Sequence, residues 1–308
     1  GNFFNHIGVP LTLLKMPQDI EVAIIEMGAN QPGDIQELAE IAAPDWGLIT
    51  NVGRAHLEKL KGIDGVRETK GAMFRHVMAG SGKIFVNLGD PHVVMEAGDY
   101  KDRVTFGSPA ADFRLENIKV RWDGMDLSIK VYGETWQVKS SLTGEYNAMN
   151  ILAAIAIGHT MGSSKSGILH GIERYVSTNN RSQLIQRGDL AIWLDAYNAN
   201  PSSMEASIRN VFAMANGKKV GLILGDMYEL GEEEEQLHRN LAKIIQPLKP
   251  SLVVGVGPKM ELLIDELEGN VHAFADREAT ENQFEELIQG IDVLLVKGSR
   301  AMALEKLL

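Results

Sequence analysis

Three side chains in the first quarter of this chain have types and positions that could do chemistry together. Glu26 directly follows the apolar run Ile20–Ile25. Ligands of open α/β sheets gather outside the carboxyl ends of strands. A carboxylate there, backed by Gly28, could hold a metal or a phosphate-bound Mg²⁺; a solvated strand-end acid is the plain alternative. His56 lies three residues past the Asn51-Val52-Gly53 turn that ends a second run, Trp46–Thr50. A histidine alone is more often structural, but a neighbouring strand end carrying Glu26 favours a shared site. Lys70 falls on the inner stripe of a helix whose apolar positions are Val66, Met73, Phe74 and Val77, with Asp64 as its expected N-cap. Desolvation lowers a lysine's pKa, and a neutral amine can be a nucleophile, a base or a trap for CO₂. A carbamylated lysine would be an anionic ligand suited to nearby Mg²⁺. A lysine that buries only its stem is the other reading.

The second half carries a similar set. Asp195 follows the strand-like Ala191–Leu194, where an acid could accept ribose hydroxyls, and Pro201 opens the helix beyond it. Arg181 lies in an expected interdomain link, where a guanidinium could reach phosphate held by the other domain. Lys297-Gly298-Ser299-Arg300 follows Val293–Val296 and begins a helix, a place where a carboxylate or phosphate could dock. Gly80-Ser81-Gly82-Lys83 is not a phosphate loop. Val77 stands where that motif needs its first glycine, Ile84 follows the lysine, and Lys83 opens a strand rather than a helix.

These residues need a scaffold, and the composition supplies one. The chain has 308 residues, 44% hydrophobic and 23% charged, enough for about two domains with ordinary cores. A net charge of −11 disfavours sequence-independent binding to nucleic acid or to an anionic membrane. The absence of cysteine excludes disulfides, thiolate metal sites and thiol catalysis. No run of about 20 apolar residues or signal peptide is evident, and a cytoplasmic location is expected.

Strand-like runs at Ile20–Ile25, Trp46–Thr50 and Lys83–Asn87, with a helix at Gly33–Ile41, predict a parallel α/β sheet. Residues 103–142 alternate polar and apolar around Asp123-Gly124, which predicts a small antiparallel region. A helix is predicted over Glu145–Met161. From Ile185 the α/β pattern restarts, with strands at Ala191–Leu194, Lys219–Leu224, Leu252–Val256 and Val293–Val296. Helices are predicted at Ser202–Met214, Glu232–Ile245, Pro258–Glu268 and Thr280–Ile288. The polar segment Ser177–Asn180 divides residues 1–179 from residues 180–308.

Nine ordered segments resemble the Mur ligases: GNFFNHIGVPLTLL (1–14), AIIEMGANQPGDI (23–35), NVGRAHLE (51–58), TKGAMF (69–74), NAMNILAA (147–154), NRSQL (180–184), DAYNANPSSM (195–204), LGDMYELG (224–231) and VKGSRAM (296–302). The resemblance implies the family's central ATPase-type parallel-sheet domain over residues 1–179 and its Rossmann-like C-terminal domain over 180–308. The family's N-terminal domain and the GKT-type P-loop that opens its central domain have no counterpart here, so the chain is expected to begin just downstream of that loop and to be inactive alone.

Within the family, DAYNANP and LGDMYELG are most similar to the ligases that join D-Ala-D-Ala to UDP-MurNAc-tripeptide in peptidoglycan precursor synthesis. That implies an acyl phosphate made with ATP and Mg²⁺, small-molecule substrates, no nucleic-acid or membrane partner, and a monomer. By resemblance, Glu26 and His56 match Mg²⁺ ligands, and Lys70 the lysine whose carbamate helps place a second Mg²⁺. Asn147 and Asn150 match a motif near the nucleotide, although Tyr146 stands where relatives often have His. Arg181 matches an arginine on ATP phosphate and Asp195 the acid at the ribose, both brought to ATP by domain closure. Asn2 and Asn5 match a segment lining the UDP-sugar path, and Lys297, Ser299 and Arg300 a motif facing the dipeptide. The alternatives are another Mur or folylpolyglutamate-type ligase, and a non-catalytic nucleotide- or partner-binding module.

Overall fold

Apolar runs become strands where a neighbour completes the hydrogen-bond ladder. The computed structural model describes residues 3–53, 57–121, 123–177 and 180–308. Trp46–Ile49 (β1) pairs in parallel with Lys83–Asn87 (β2), and β2 in parallel with Arg103–Phe106 (β3). Phe113–Arg121 (β4), Gly124–Val131 (β5) and Glu134–Ser140 (β6) complete a sheet in the order β1-β2-β3-β4-β5-β6. The two-residue links between β4, β5 and β6 suit only antiparallel neighbours. The expected antiparallel region therefore starts later than residue 103, because β3 extends the parallel ladder.

Ile20–Ile25 is an exception, since no strand forms there. Residues 22–29 lie outside the sheet, tied by the Gly28 N–H to the Phe4 carbonyl at 2.9 Å. Ile25, Met27 and Ala29 pack against Val9, Ile35 and Leu38, while Ile20, Val22 and Ile24 stay exposed. β-branched residues make a strand only when a partner takes the backbone polar groups. Among the described residues β1 is an edge strand with β2 as its neighbour. The helix expected behind Asp64 runs Ile63–Ala79, but Gly62 occupies the N-cap; Asp64 lies in the first turn, 3.5 Å from Arg67.

The second sheet contains Gln183–Arg187 (β7), Leu190–Leu194 (β8), Val220–Gly225 (β9), Leu252–Val256 (β10), Val271–Phe274 (β11) and Val293–Lys297 (β12). Their order is β11-β10-β9-β12-β8-β7, parallel except for the antiparallel pair β7–β8. Both faces are covered. Trp193, Leu222, Val293 and Leu295 join one apolar cluster, and Ile192, Leu194, Ile223, Leu294 and Val296 join the other. Strands buried on two faces read as unbroken apolar runs, which is why most of these were legible. Of the helices predicted beside them, Ser202–Met214 forms as Pro201–Ala215, whereas Pro258–Glu268 yields only Glu261–Ile264, and Thr280–Ile288 yields Arg277–Glu281 and Phe284–Leu287.

The chain divides into two compact units. One comprises Gly1–Glu116, Ser128–Trp136 and Met149–Ile168; the other comprises Asn117–Leu127, Gln137–Ala148 and Leu169–Leu308. Among the described residues no helix is long and apolar enough to cross a membrane.

Gly80–Lys83 is a turn between helix and strand. The Gly80 N–H caps His76 O at 3.2 Å, Ser81 adopts φ +58°, and the Lys83 N–H meets Asp45 O at 3.1 Å. A Cβ on Gly82 would lie 2.2 Å from Asp45 O, a backbone atom, whereas one on Gly80 would meet nothing closer than 3.6 Å. Gly82→Ala should therefore destabilise the fold by about 1–3 kcal/mol in urea unfolding. Gly80→Ala should change stability by less than about 0.5 kcal/mol, and equal effects would contradict this reading of the turn.

Candidate functional site

In the first unit, Lys70 is half-buried on the helix Ile63–Ala79, among the buried Val66, Phe74 and Val77. Its Nζ donates to the Asn51 carbonyl, at the end of β1, at 2.8 Å. Burial pushes the ammonium below the ordinary lysine range, and the charge of Asp90 opposes part of that shift. Asp90 also caps the helix Pro91–Ala97, accepting from the N–H groups of His92 at 2.9 Å and Val93 at 3.3 Å. Its other oxygen accepts from the Val52 N–H at 2.7 Å. One carboxylate thus ties a helix N-terminus to the end of β1 and supplies the negative charge that Lys70 feels. Sequence reasoning missed it, although Asp90-Pro91 after β2 is a strong N-cap signal.

Glu26 is exposed on the unpaired segment. Asn5 is exposed and fastens the start of the helix Gly8–Leu14, its side-chain oxygen accepting from Ile7 at 3.2 Å and Gly8 at 2.9 Å. His56 and Asn2 lie outside the described residues. Among the described residues no group of three or more His, Asp or Glu gathers as a metal site. The helix Tyr146–Thr160 carries Asn150, exposed, and Asn147, buried with its side-chain N–H donating to Thr143 O at 2.7 Å.

In the second unit, the carboxyl ends of β8, β9 and β12 form one polar edge. Asp195 follows β8. One oxygen accepts from the Ser182 N–H at 3.0 Å; the other accepts from the Ser207 hydroxyl at 2.7 Å and from the Lys297 Nζ at 2.5 Å. Lys297 is only 2% exposed and also donates to Asn198 O at 3.1 Å. Strand alternation sends it to the same face as Val293 and Leu295, where the helix Pro201–Ala215 packs. Lys297, matched by resemblance to a motif facing the dipeptide, is thus buried and ion-paired in this structure.

Ser299 is buried as well. Its N–H donates to Asp226 O at 3.1 Å and its Oγ accepts from the Tyr228 N–H at 3.0 Å, stitching the loops after β9 and β12 together. Of that motif Arg300 alone reaches solvent, 3.3 Å from Glu305. Arg181 is exposed, and its guanidinium carbon lies 3.8 Å from the centroid of the Tyr197 ring.

Four further side chains contribute to this edge, of which the sequence reading noted only Tyr146, and without a role. Ser207 projects from the inner side of its helix beside Met204, Ile208 and Val211. Tyr146 hydrogen-bonds the Ser182 hydroxyl, and burial raises its phenol well above the usual tyrosine range. Asp226, 1% exposed, accepts from the N–H groups of Lys259 and Met260 at 3.1 and 2.9 Å, and burial raises its carboxyl's pKa. His238 is fully buried; its Nε2 accepts from the Met227 N–H at 3.0 Å, which leaves Nδ1 to donate to Glu234 O at 2.7 Å.

Residues 1–158 match the Mur ligase middle domain, and residues 180–300 match the Mur ligase glutamate ligase domain. UDP-N-acetylmuramoyl-tripeptide–D-alanyl-D-alanine ligase of Bacillus subtilis (strain 168) is 33% identical over 316 residues, spanning all of this chain and 68% of that protein. The crystal structure of MurF from Acinetobacter baumannii superposes with a TM-score of 0.91 at 28% identity, covering all of this chain and 68% of that one. MurF from Thermotoga maritima in complex with ADP gives a TM-score of 0.88 at 25% identity, covering all of this chain and 70% of that one.

Two measurements test the electrostatics. Removing Lys297 leaves the half-buried Asp195 without its counter-charge, so Lys297→Met should cost about 3 kcal/mol of stability in chemical unfolding. Adding Asp195→Asn should recover much of the loss. A double variant no better than the single one would show that the pair is not coupled.

For Lys70 the lowered pKa means that, between the folded and unfolded values, the unfolded chain binds more protons. The penalty for burying the ammonium is therefore full at neutral pH and is relieved as pH rises through the folded value. Any stability advantage of Lys70→Met over wild type should shrink as pH rises from neutral to about 10. A difference that stays flat with pH would contradict it.

Proposed function

We propose that this chain, which belongs to the Mur ligase family, works in ATP-dependent amide-bond formation, adding D-Ala-D-Ala to UDP-MurNAc-tripeptide. The names of its relatives, and the ADP carried by one of them, support that substrate set. The terminal carboxylate of the tripeptide attacks the γ-phosphorus of ATP, ADP departs, and an acyl phosphate results. The dipeptide's amine then adds to the acyl carbon, the tetrahedral adduct expels phosphate, and the amine proton is lost. ATP dependence also argues for a cytoplasmic site of action.

The observation that carries the reading is Lys70: a half-buried amine beside a strand-end carbonyl, with its pKa lowered. Such an amine is more often neutral than a surface lysine at the same pH. Attack of neutral Nζ on CO₂, with loss of one N–H proton, gives a carbamate anion. That exchange matters for Mg²⁺, which takes oxygen donors and not ammonium groups. The Glu26 carboxylate is a suitable donor; Lys70 becomes one only as its carbamate; and His56 is the third member implied by the family resemblance. When bound, Mg²⁺ would neutralise charge on ATP and on the acyl phosphate. Arg181 presents an exposed guanidinium suited to phosphate oxygens.

With ¹³C-bicarbonate, a carbamate carbonyl signal should appear in the wild-type spectrum and vanish in Lys70→Ala. In the ligase containing this chain, phosphate release should require ATP, the tripeptide precursor and D-Ala-D-Ala together. Lys70→Ala should lower kcat by roughly 10²–10³-fold. Full turnover in Lys70→Ala would remove the residue from the mechanism. Release driven equally by glutamate and a folate acceptor would favour the folylpolyglutamate-type alternative.

A further inference from the structure

Arg181 stands between two residues in a conformation that L-residues avoid. Asn180 has φ +58° and Ser182 has φ +47°. Left-handed backbone at a serine is uncommon, and it persists only where the surroundings over-determine it. Here they do, through four tethers. The Tyr197 N–H donates to Asn180 O at 3.1 Å. The Ser182 N–H donates to Asp195 Oδ1 at 3.0 Å. Tyr146 hydrogen-bonds the Ser182 hydroxyl, and the Ser177 hydroxyl donates to Arg181 O. Asp195 is itself fixed by Lys297 and Ser207.

All this machinery converges on one exposed side chain. Its guanidinium carbon lies over the Tyr197 ring, 3.8 Å from the centroid. That partner is uncharged, so it holds the cation without neutralising it. A guanidinium seated by its face keeps its N–H edge for another ligand, and that edge matches the oxygens of a phosphoryl or carboxylate group. A flexible arginine would lose rotamer freedom on meeting the same anion; a preset one has already lost it.

We propose that Tyr197 is a positioning residue for Arg181, its ring and the Asp195–Lys297 pair beneath the loop holding the guanidinium ready for a phosphoryl group of the nucleotide. This rests on the reading that Arg181 contacts ATP phosphate. The proposed role uses the ring face and the backbone N–H of Tyr197. Tyr197→Phe keeps both features, whereas Tyr197→Leu keeps the N–H and the bulk but loses the π face.

The experiment combines ¹⁵N relaxation of the Arg181 Nε–H with ATP kinetics in the ligase containing this chain. Wild type and Tyr197→Phe should show an ordered Nε–H and similar kcat/KM for ATP. Tyr197→Leu should show a mobile Nε–H and a fall in kcat/KM of about tenfold. A rigid Nε–H in Tyr197→Leu would overturn the proposal. So would an equal loss in Tyr197→Phe, which would assign the effect to the hydroxyl. A mobile Nε–H with unchanged kinetics would leave the stack standing as a positioning contact and overturn only its phosphate role.

Discussion

A lysine ammonium buried at the end of a central strand is the constraint around which the second unit is built. Lys297 ends β12, which lies between β8 and β9, and almost none of it reaches water. An isolated cation there would be prohibitively unfavourable. Asp195 at the end of β8 and the Asn198 carbonyl make the position tenable. Because the carboxylate must stay on the lysine, the loop that carries it is fixed. That loop in turn holds Ser182 through the Asp195 carboxylate and carries Tyr197, over whose ring Arg181 lies. Ser207 and Tyr146 then satisfy the remaining polar groups of the cluster.

The same logic runs through the neighbouring loops with weaker partners. Asp226, just after β9, is held by backbone N–H groups rather than by a cation, and burial raises its pKa. Ser299 joins that loop to the one after β12. His238 accepts one backbone N–H and donates to one backbone carbonyl. Parallel strands deliver their ends to a common edge, and at that edge each polar side chain is used first to hold its neighbours. Arg181 and Arg300 are the members left facing solvent.

Much of this scaffold was legible before any coordinates. Runs such as Leu252–Val256 and Val293–Val296 are apolar at every position because both faces of the sheet are covered. The inner stripe of the helix Ile63–Ala79 correctly placed Lys70 against the core. What misled was local chemistry without its partner. Ile20–Ile25 has strand composition, but composition does not supply a ladder. Asp64 has cap chemistry, but Gly62 already occupied the cap. Lys297 precedes a short helix, and its neighbours in sequence do not show that it is buried. Its real surroundings depend on Asp195, a hundred residues away in sequence and adjacent through the β8–β12 pairing. Tyr197 was invisible for the same reason: nothing in the string DAYNANP says that its third residue will lie under an arginine sixteen positions earlier.

The two lysines show how burial alone fails to define a role. Both are drawn inward, and desolvation works against the charged form of each. Lys297 has a carboxylate in direct contact, so it is a fixed cation whose removal strands an anion. Lys70 has a carbonyl as its hydrogen-bond acceptor, and the nearest acid to act on it, Asp90, already accepts three backbone N–H groups. A neutral acceptor supports the ammonium less than a carboxylate does. Burial lowers the pKa of Lys70, and its Nζ reaches from the helix Ile63–Ala79 to the carbonyl at the end of β1. The two lysines thus differ in partner as well as in depth: a carboxylate meets Lys297, and a backbone carbonyl meets Lys70.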